Sequence, residues 1–347
     1  GGDASGALID YRRAIALAEA TGGPRDARLS AAWYGLGYLH LDSGQAAAAS
    51  SALATALQLH RLNHGLYSAG QLDVLQALAV SARAAGADDQ ADQWQIRRIE
   101  VGERVHAKAP LLLAQVYLSA GRWFGDAGRS GNAISLHALA VQTLDNNGGR
   151  EQPALFEPLL ELALSAGQRR REFDQASLPP KLRPQTTLSR AEHLLEAEEV
   201  DARAAITADP APLSALAARW IRLGDVHLIL GRSDDAETAY ARALQLRASA
   251  GAPSSDFEQP AFLQFQPPLP LAASRDGRLV AEFDVDTRGR TLRPRIVERQ
   301  PEDLPTTLDA ALLQALRGAR LRPALRQGKP VASEGVRFEL QIRGDSA

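Results

Sequence analysis

His60 and His64 stand four residues apart, a spacing that sets two imidazoles on one face of a helix within reach of a shared metal ion. A tetrahedral site needs further ligands, and no acid or third histidine lies nearby, so two surface histidines at a helix end is the plainer reading. Asp284-x-Asp286-x-x-Gly289 has the opening acids of a calcium loop. Its fifth position is Arg288 and its twelfth Arg295, where oxygen ligands are required, and a hairpin turn with exposed acids accounts for the same residues. Gly125-x-x-Gly128-x-x-Gly131 lacks the lysine and the serine or threonine of a phosphate loop and follows no strand, which makes it a turn leading into a helix. There is no Gly-x-Ser-x-Gly elbow, no His-Glu-x-x-His and no cysteine. The expectation is a chain without a catalytic site, a metal or a cofactor.

What positions the side chains is a repeat. Gly2, Gly44, Gly86 and Gly128 follow one another at intervals of 42 residues. Five residues after each stand Ala7, Ala49, Ala91 and Ala133; nine after, Tyr11, Leu53, Gln95 and His137; twelve after, Ala14, Ala56, Arg98 and Ala140. Steps of four and three return to one helix face, so small, large, small is a packing code for helical hairpins that bury their apolar sides against neighbours. Stacked units of this kind present extended binding surfaces more often than enclosed active sites. Around residues 150–210 the pattern degrades: Phe156, Leu159, Leu160 and Ala163 suit a helix before Gly167, and Pro179, Pro180 and Pro184 then interrupt.

With 347 residues the chain exceeds what one core of roughly 250–300 residues organises. Its net charge of −2 offers no general attraction to nucleic acid or anionic lipid. Residues 275–343 hold 14 Lys and Arg against 10 Asp and Glu, a weak complement to the acidic remainder. The chain contains no methionine and opens on Gly1-Gly2, where the turn inside a repeat is expected, so a first helix, and any signal or membrane anchor, is expected upstream of residue 1.

Trp33-x-x-Leu36-Gly37-x-x-His40 before Gly44, and Trp220-x-x-Leu223-Gly224-x-x-His227 before Gly231 with Ala236-x-x-x-Tyr240-x-x-Ala243 after it, resemble the tetratricopeptide repeat signature. The interval exceeds that family's usual ~34 residues, which implies longer helices or turns. The resemblance implies that the first helix of each pair lines a concave face, which places Tyr34, Tyr38, Gln76, Arg83, Gln115 and Arg122 there. Two tyrosines and two forked guanidinium groups would suit an extended acidic or C-terminal peptide. The alternative is that the tyrosines pack between helices and the arginines are solvated. The lysine and asparagine pairs of chaperone-binding members are absent, and Trp33 and Trp220 occupy packing positions.

After the repeats, residues 251–270 read as a proline-rich linker that partly packs, with Pro253, Pro260, Pro267, Pro268 and Pro270 among Phe257, Phe262 and Phe265. Leu279 to Val285 alternates at period two, Asp286 to Arg290 supplies a turn with Gly289 where positive φ is needed, and Thr291 to Val297 is a second strand. Leu304 to Arg317 has helical spacing, with Thr306 or Thr307 as its cap, and Val336 to Ile342 alternates again. That order, with Arg322-Pro323-Ala324 and Gly328-Lys329-Pro330-Val331, resembles the TonB-family C-terminal domain over about residues 267–343. The resemblance implies a periplasmic domain of a Gram-negative bacterium that adds a receptor segment to a sheet edge, with Val336, Phe338, Leu340 and Ile342 on the strand concerned. Leu321 stands where the family commonly has an aromatic, and helical repeats replace the anchor helix and spacer of energy-transducing members.

The expected fold is therefore mainly α: a helical-repeat solenoid over 1–250, a linker over 251–270 and a small ββαβ domain over 271–347. The expected function is a non-enzymatic scaffold of the cell envelope, periplasmic or facing the periplasm, holding a protein or peptide in the groove and a second partner, such as an outer-membrane receptor, at the tail. Two competing expectations are a TonB-like energy-transducing coupler and a ligand sensor or enzyme regulator. No nucleic-acid partner is expected.

Overall fold

The computed structural model of the chain describes residues 4–169, 178–204, 211–252, 255–267 and 276–342. Gly2 of the repeat series and Pro253, Pro268 and Pro270 of the expected linker lie outside the described residues. The chain divides into two compact units, Gly1–Ser165 and Ala166–Ala347. The second takes in both the last helical hairpin and the strands that follow it.

In the first unit, α1 (Ala4–Gly22) precedes three hairpins: α2 (Ala27–Asp42) with α3 (Ala46–His64), α4 (Gln71–Ala84) with α5 (Asp88–Val105), and α6 (Pro110–Asp126) with α7 (Ser130–Gly148). Each hairpin turns on a glycine of the 42-residue series: Gly44, Gly86 and Gly128 have φ of +72°, +75° and +72°. The left-handed residue lets the next N–H reach back over the helix end, Gln45 to the His40 carbonyl at 2.8 Å and Arg129 to that of Phe124 at 2.8 Å. The period beyond 34 residues is taken up by helix length, with α3 and α7 each 19 residues long.

The packing code also has a structural meaning. Ala49, Ala56, Ala91, Ala133 and Ala140 are fully buried, so paired helices approach closely. Nine residues after the turn glycine, a large side chain meets a glycine seven residues before it: a Cβ on Gly37 would lie 2.6 Å from Leu53, and one on Gly121 2.3 Å from the His137 ring. Among its described residues the irregular stretch holds two α-helices, α8 (Phe156–Arg169), which runs through Gly167, and α9 (Pro184–Ala204), which opens on Pro184. Proline is tolerated at that first position because its missing N–H has no intrahelical partner.

In the second unit, α10 (Ala211–Ile229) and α11 (Ser233–Ser249) form a hairpin of the same design about Gly231, with Gly224 against Tyr240. β1 (Ala261–Gln264) lies within the expected linker, so part of that segment is a strand. β2 (Gly277–Val285) pairs antiparallel with β3 (Thr291–Gln300) and with β7 (Ser333–Ile342) in the order β3-β2-β7. Between them come α12 (Thr306–Gly318), β4 (Arg320–Arg322), β5 (Ala324–Arg326) and β6 (Lys329–Val331), with β1 paired to β4 and β5 to β6. Alternate residues Leu279, Ala281, Phe283 and Val285 of β2 pack with Leu308, Leu312 and Leu316 of α12 in one core. The expected threonine cap is replaced by Pro305, with Thr306 already helical and no side-chain cap formed.

The strands lean on the hairpin within this unit. Gly328 lies against Ala241, and the Phe257 ring stands 4.9 Å from the Arg247 guanidinium and 5.0 Å from that of Arg322. The β2–β3 turn meets β4, with the Leu321 N–H donating to the Gly289 carbonyl at 3.0 Å.

Candidate functional site

Tyr34 and Tyr38, four residues apart on α2, come together with Gln76 of α4 around a concavity of about 510 Å³. The tyrosine ring centroids are 6.2 Å apart and tilted by 51°. Leu41, Asp42, Asp73, Ala77 and Val80 complete the lining. Tyr38 is 59% exposed and Val80 40%, so large apolar surface faces solvent here. Tyr34 is half-buried, and burial first, then the charge of Asp73, raises its hydroxyl pKa. Gln76 accepts a 2.6 Å hydrogen bond from the buried Gln95 amide, which fixes its orientation.

The other residues expected in the groove are engaged elsewhere in the same unit. The Arg83 guanidinium carbon lies over the Trp123 ring, 3.3 Å from its centroid. Arg122 pairs with Glu161 at 2.9 Å and Glu157 at 3.6 Å, both from α8. Gln115 is exposed on α6. The two guanidinium groups are thus held by an indole and by glutamates, and the concavity between α2 and α4 is lined by aspartates instead. Asp42 and Asp73 escaped the sequence reading, although helical spacing carries the signal: Asp42 follows Tyr38 by four residues and Asp73 precedes Gln76 by three.

The other polar residues singled out by their spacing make local hydrogen bonds and ion pairs. His60 sits between Ser68, at 2.9 Å from Nε2, and Ser30, at 3.4 Å from Nδ1, with the His64 ring beside it at 4.6 Å and tilted by 41°. His137 is buried with Nδ1 2.9 Å from the Ser165 hydroxyl, and burial lowers its pKa. Asp286 accepts from the N–H groups of Arg288 at 2.9 Å and Arg290 at 2.8 Å, which makes it the organiser of the β2–β3 turn, and Asp284 pairs with Arg293 at 2.6 Å. Among the described residues no cluster of three or more His, Cys, Asp or Glu could hold a metal ion.

At the other end, β7 is an outer strand of its sheet, paired on one side with β2. Val336, Phe338 and Leu340 are partly buried against the core and Ile342 is buried in it, with the Phe338 ring 5.4 Å from Phe262 and 5.0 Å from Phe265. Any guest would therefore meet the backbone of this edge and the outward Arg337, Glu339 and Gln341 rather than those four apolar side chains.

Residues 217–249 match the family model of the tetratricopeptide repeat. That segment is similar to a tetratricopeptide repeat. Residues 267–340 match the model described as Gram-negative bacterial TonB protein C-terminal. Among solved structures, the chain is similar to BtubC (BKLC) from P. vanneervenii, with 17% identity, 72% of this chain and 93% of that one covered, and a TM-score of 0.46. It is also similar to a Podosopora anserina protein of nearly identical TPR-like repeats (15% identity, 64% and 96% covered, TM-score 0.44). No match is found among curated protein sequences. Tetratricopeptide-type hairpins followed by a TonB-like segment are thus the architecture of the chain, and no described helix is long and apolar enough to cross a membrane.

Proposed function

We propose that this chain is a non-enzymatic interaction scaffold of the Gram-negative envelope, which holds an extended peptide along α2 and α4 and a second protein at the TonB-like segment. The observation that carries the reading is the exposed Tyr38 and Val80 surface over the concavity beside Tyr34 and Gln76, on first helices of successive hairpins. An aromatic ring and an apolar side chain left exposed on the face that repeat arrays use for binding favour a ligand over a merely structural role. The match to the TonB C-terminal model supports a periplasmic setting.

Photocrosslinking tests it: a photoreactive residue at position 38 is expected to capture a discrete partner in a Gram-negative envelope, with the adduct lost in a Val80→Glu variant. A photoreactive residue at the remote exposed position Leu17 that captures the same partner equally well would count against the groove. The alternative of a TonB-like coupler is favoured by the outer position of β7. It predicts that a crosslinker at Glu339 captures an outer-membrane receptor.

A further inference from the structure

Resting on the groove reading above, we infer that the Tyr34–Tyr38 concavity is a subsite for a cationic side chain, an arginine presented by an extended peptide. Its lining contains two tyrosine rings, two aspartates and no cation. Neither Asp42 nor Asp73 is ion-paired among the described residues, and both are exposed. The neighbouring guanidinium groups have partners: Arg83 the Trp123 ring, Arg122 Glu161 and Glu157, and the half-buried Arg98 the Ser119 hydroxyl at 2.7 Å, with the Asp73 charge acting on it as well. An acidic peptide would meet two exposed carboxylates at this point, and no cation lines the concavity. A guanidinium can stack on a tyrosine face while its fork reaches a carboxylate, and this pairing of aromatic and acid is the chemistry that recognises arginine. The raised hydroxyl pKa of Tyr34, to which Asp73 contributes after burial, agrees with a negative local potential.

Fluorine NMR of the full chain labelled with 3-fluorotyrosine tests the assignment, with N-acetyl-arginine amide as the probe and its citrulline and glutamate counterparts as controls. The expected result is a saturable shift of the Tyr34 and Tyr38 resonances with arginine, with the signals of Tyr117 and Tyr240 unmoved. Citrulline should bind about tenfold more weakly, and Asp42→Asn or Asp73→Asn should each weaken the arginine shift about three- to tenfold, a range set by removal of one carboxylate contact. Equal response to citrulline, a glutamate response as strong as that to arginine, or unchanged binding in both Asn variants would overturn the inference. Unmoved Tyr117 and Tyr240 signals in the variants establish that they fold. If the arginine response fails while the position-38 crosslink persists, the groove reading stands and only the cation assignment falls; loss of both removes both.

Discussion

Arg322 Nη1 lies 3.2 Å from Oδ2 of Asp225, joining the Arg-Pro run of the TonB-like segment to the first helix of the last hairpin. The Tyr240 hydroxyl donates to the other carboxylate oxygen at 2.9 Å. Asp225 is 6% exposed, and burial pushes its pKa up to about 6 despite the facing Arg322, the Tyr240 hydroxyl and Arg222. The hairpin and the strands of the second unit therefore share a buried, charged contact.

Arg322→Ala is expected to destabilise the second unit by about 3–5 kcal/mol at pH 7.5, because it leaves a buried carboxylate without its cation. The folded unit retains the Asp225 proton between the ordinary value of 3.8 and about 6, so this group stabilises the fold as pH falls through 6 and adds nothing further below 3.8. The deficit of Arg322→Ala should accordingly shrink between pH 7 and pH 5, and Asp225→Asn should abolish that trend. Hydrogen exchange of α10 amides, corrected for intrinsic rates, reads both effects, and a deficit independent of pH would contradict the argument.

Gly121→Ala sets two effects against each other. Alanine favours an exposed helix interior by up to about 1 kcal/mol over glycine, yet the new Cβ would lie 2.3 Å from the His137 ring in a packed core, where overpacking costs about 1–3 kcal/mol. A net loss is expected, reversed in the double variant Gly121→Ala/His137→Ala relative to His137→Ala alone. Urea unfolding of the four chains measures the coupling.

Burial lowers the His137 pKa, so below the ordinary 6.5 the unfolded chain takes up a proton that the folded first unit refuses. His137's contribution is complete above about 6.5 and is lost as pH falls. His137→Leu, which copies Leu53 at the equivalent position of the first hairpin, should flatten that slope. An acid-induced loss of equal size in the variant would assign the effect elsewhere.

Tyr38→Ala should change stability by less than about 0.5 kcal/mol, since its ring is largely in water. Tyr240→Ala, at a fully buried ring that also donates to Asp225, should cost about 3–5 kcal/mol. Thermal or urea unfolding separates the two, and comparable losses would mean that Tyr38 is a packing residue rather than a binding one.

Gly289→Ala is expected to dislodge the β2–β3 turn from β4. Its φ is +71° and the added Cβ would stand 1.9 Å from the Leu321 carbonyl oxygen, against backbone that cannot yield. Faster exchange of the Leu321 amide would report the change.

The helical hairpins were legible in the sequence because their physics is local. A glycine at positive φ every 42 residues and small side chains at fixed offsets specify each turn and each close approach without reference to distant residues. The β2–β3 hairpin, α12 and β7 were readable for the same reason, their periods being 2 and 3.6. The four short strands were not: β1, β4, β5 and β6 have three or four residues each, too few for a period to appear, and β1 exists only because β4 pairs with it.

The fates of the groove residues divide the same way. Sequence alone determined that Tyr34, Tyr38, Gln76, Arg83, Gln115 and Arg122 fall on first helices, since that depends on counting from a turn. Tertiary structure decided that Arg83 is held by Trp123, 40 residues away, and Arg122 by glutamates of α8, while Asp42 and Asp73 of different helices line one concavity with the tyrosines. The charge that a ligand meets depends on which side chains neutralise one another across helices, and spacing along one helix does not contain that information.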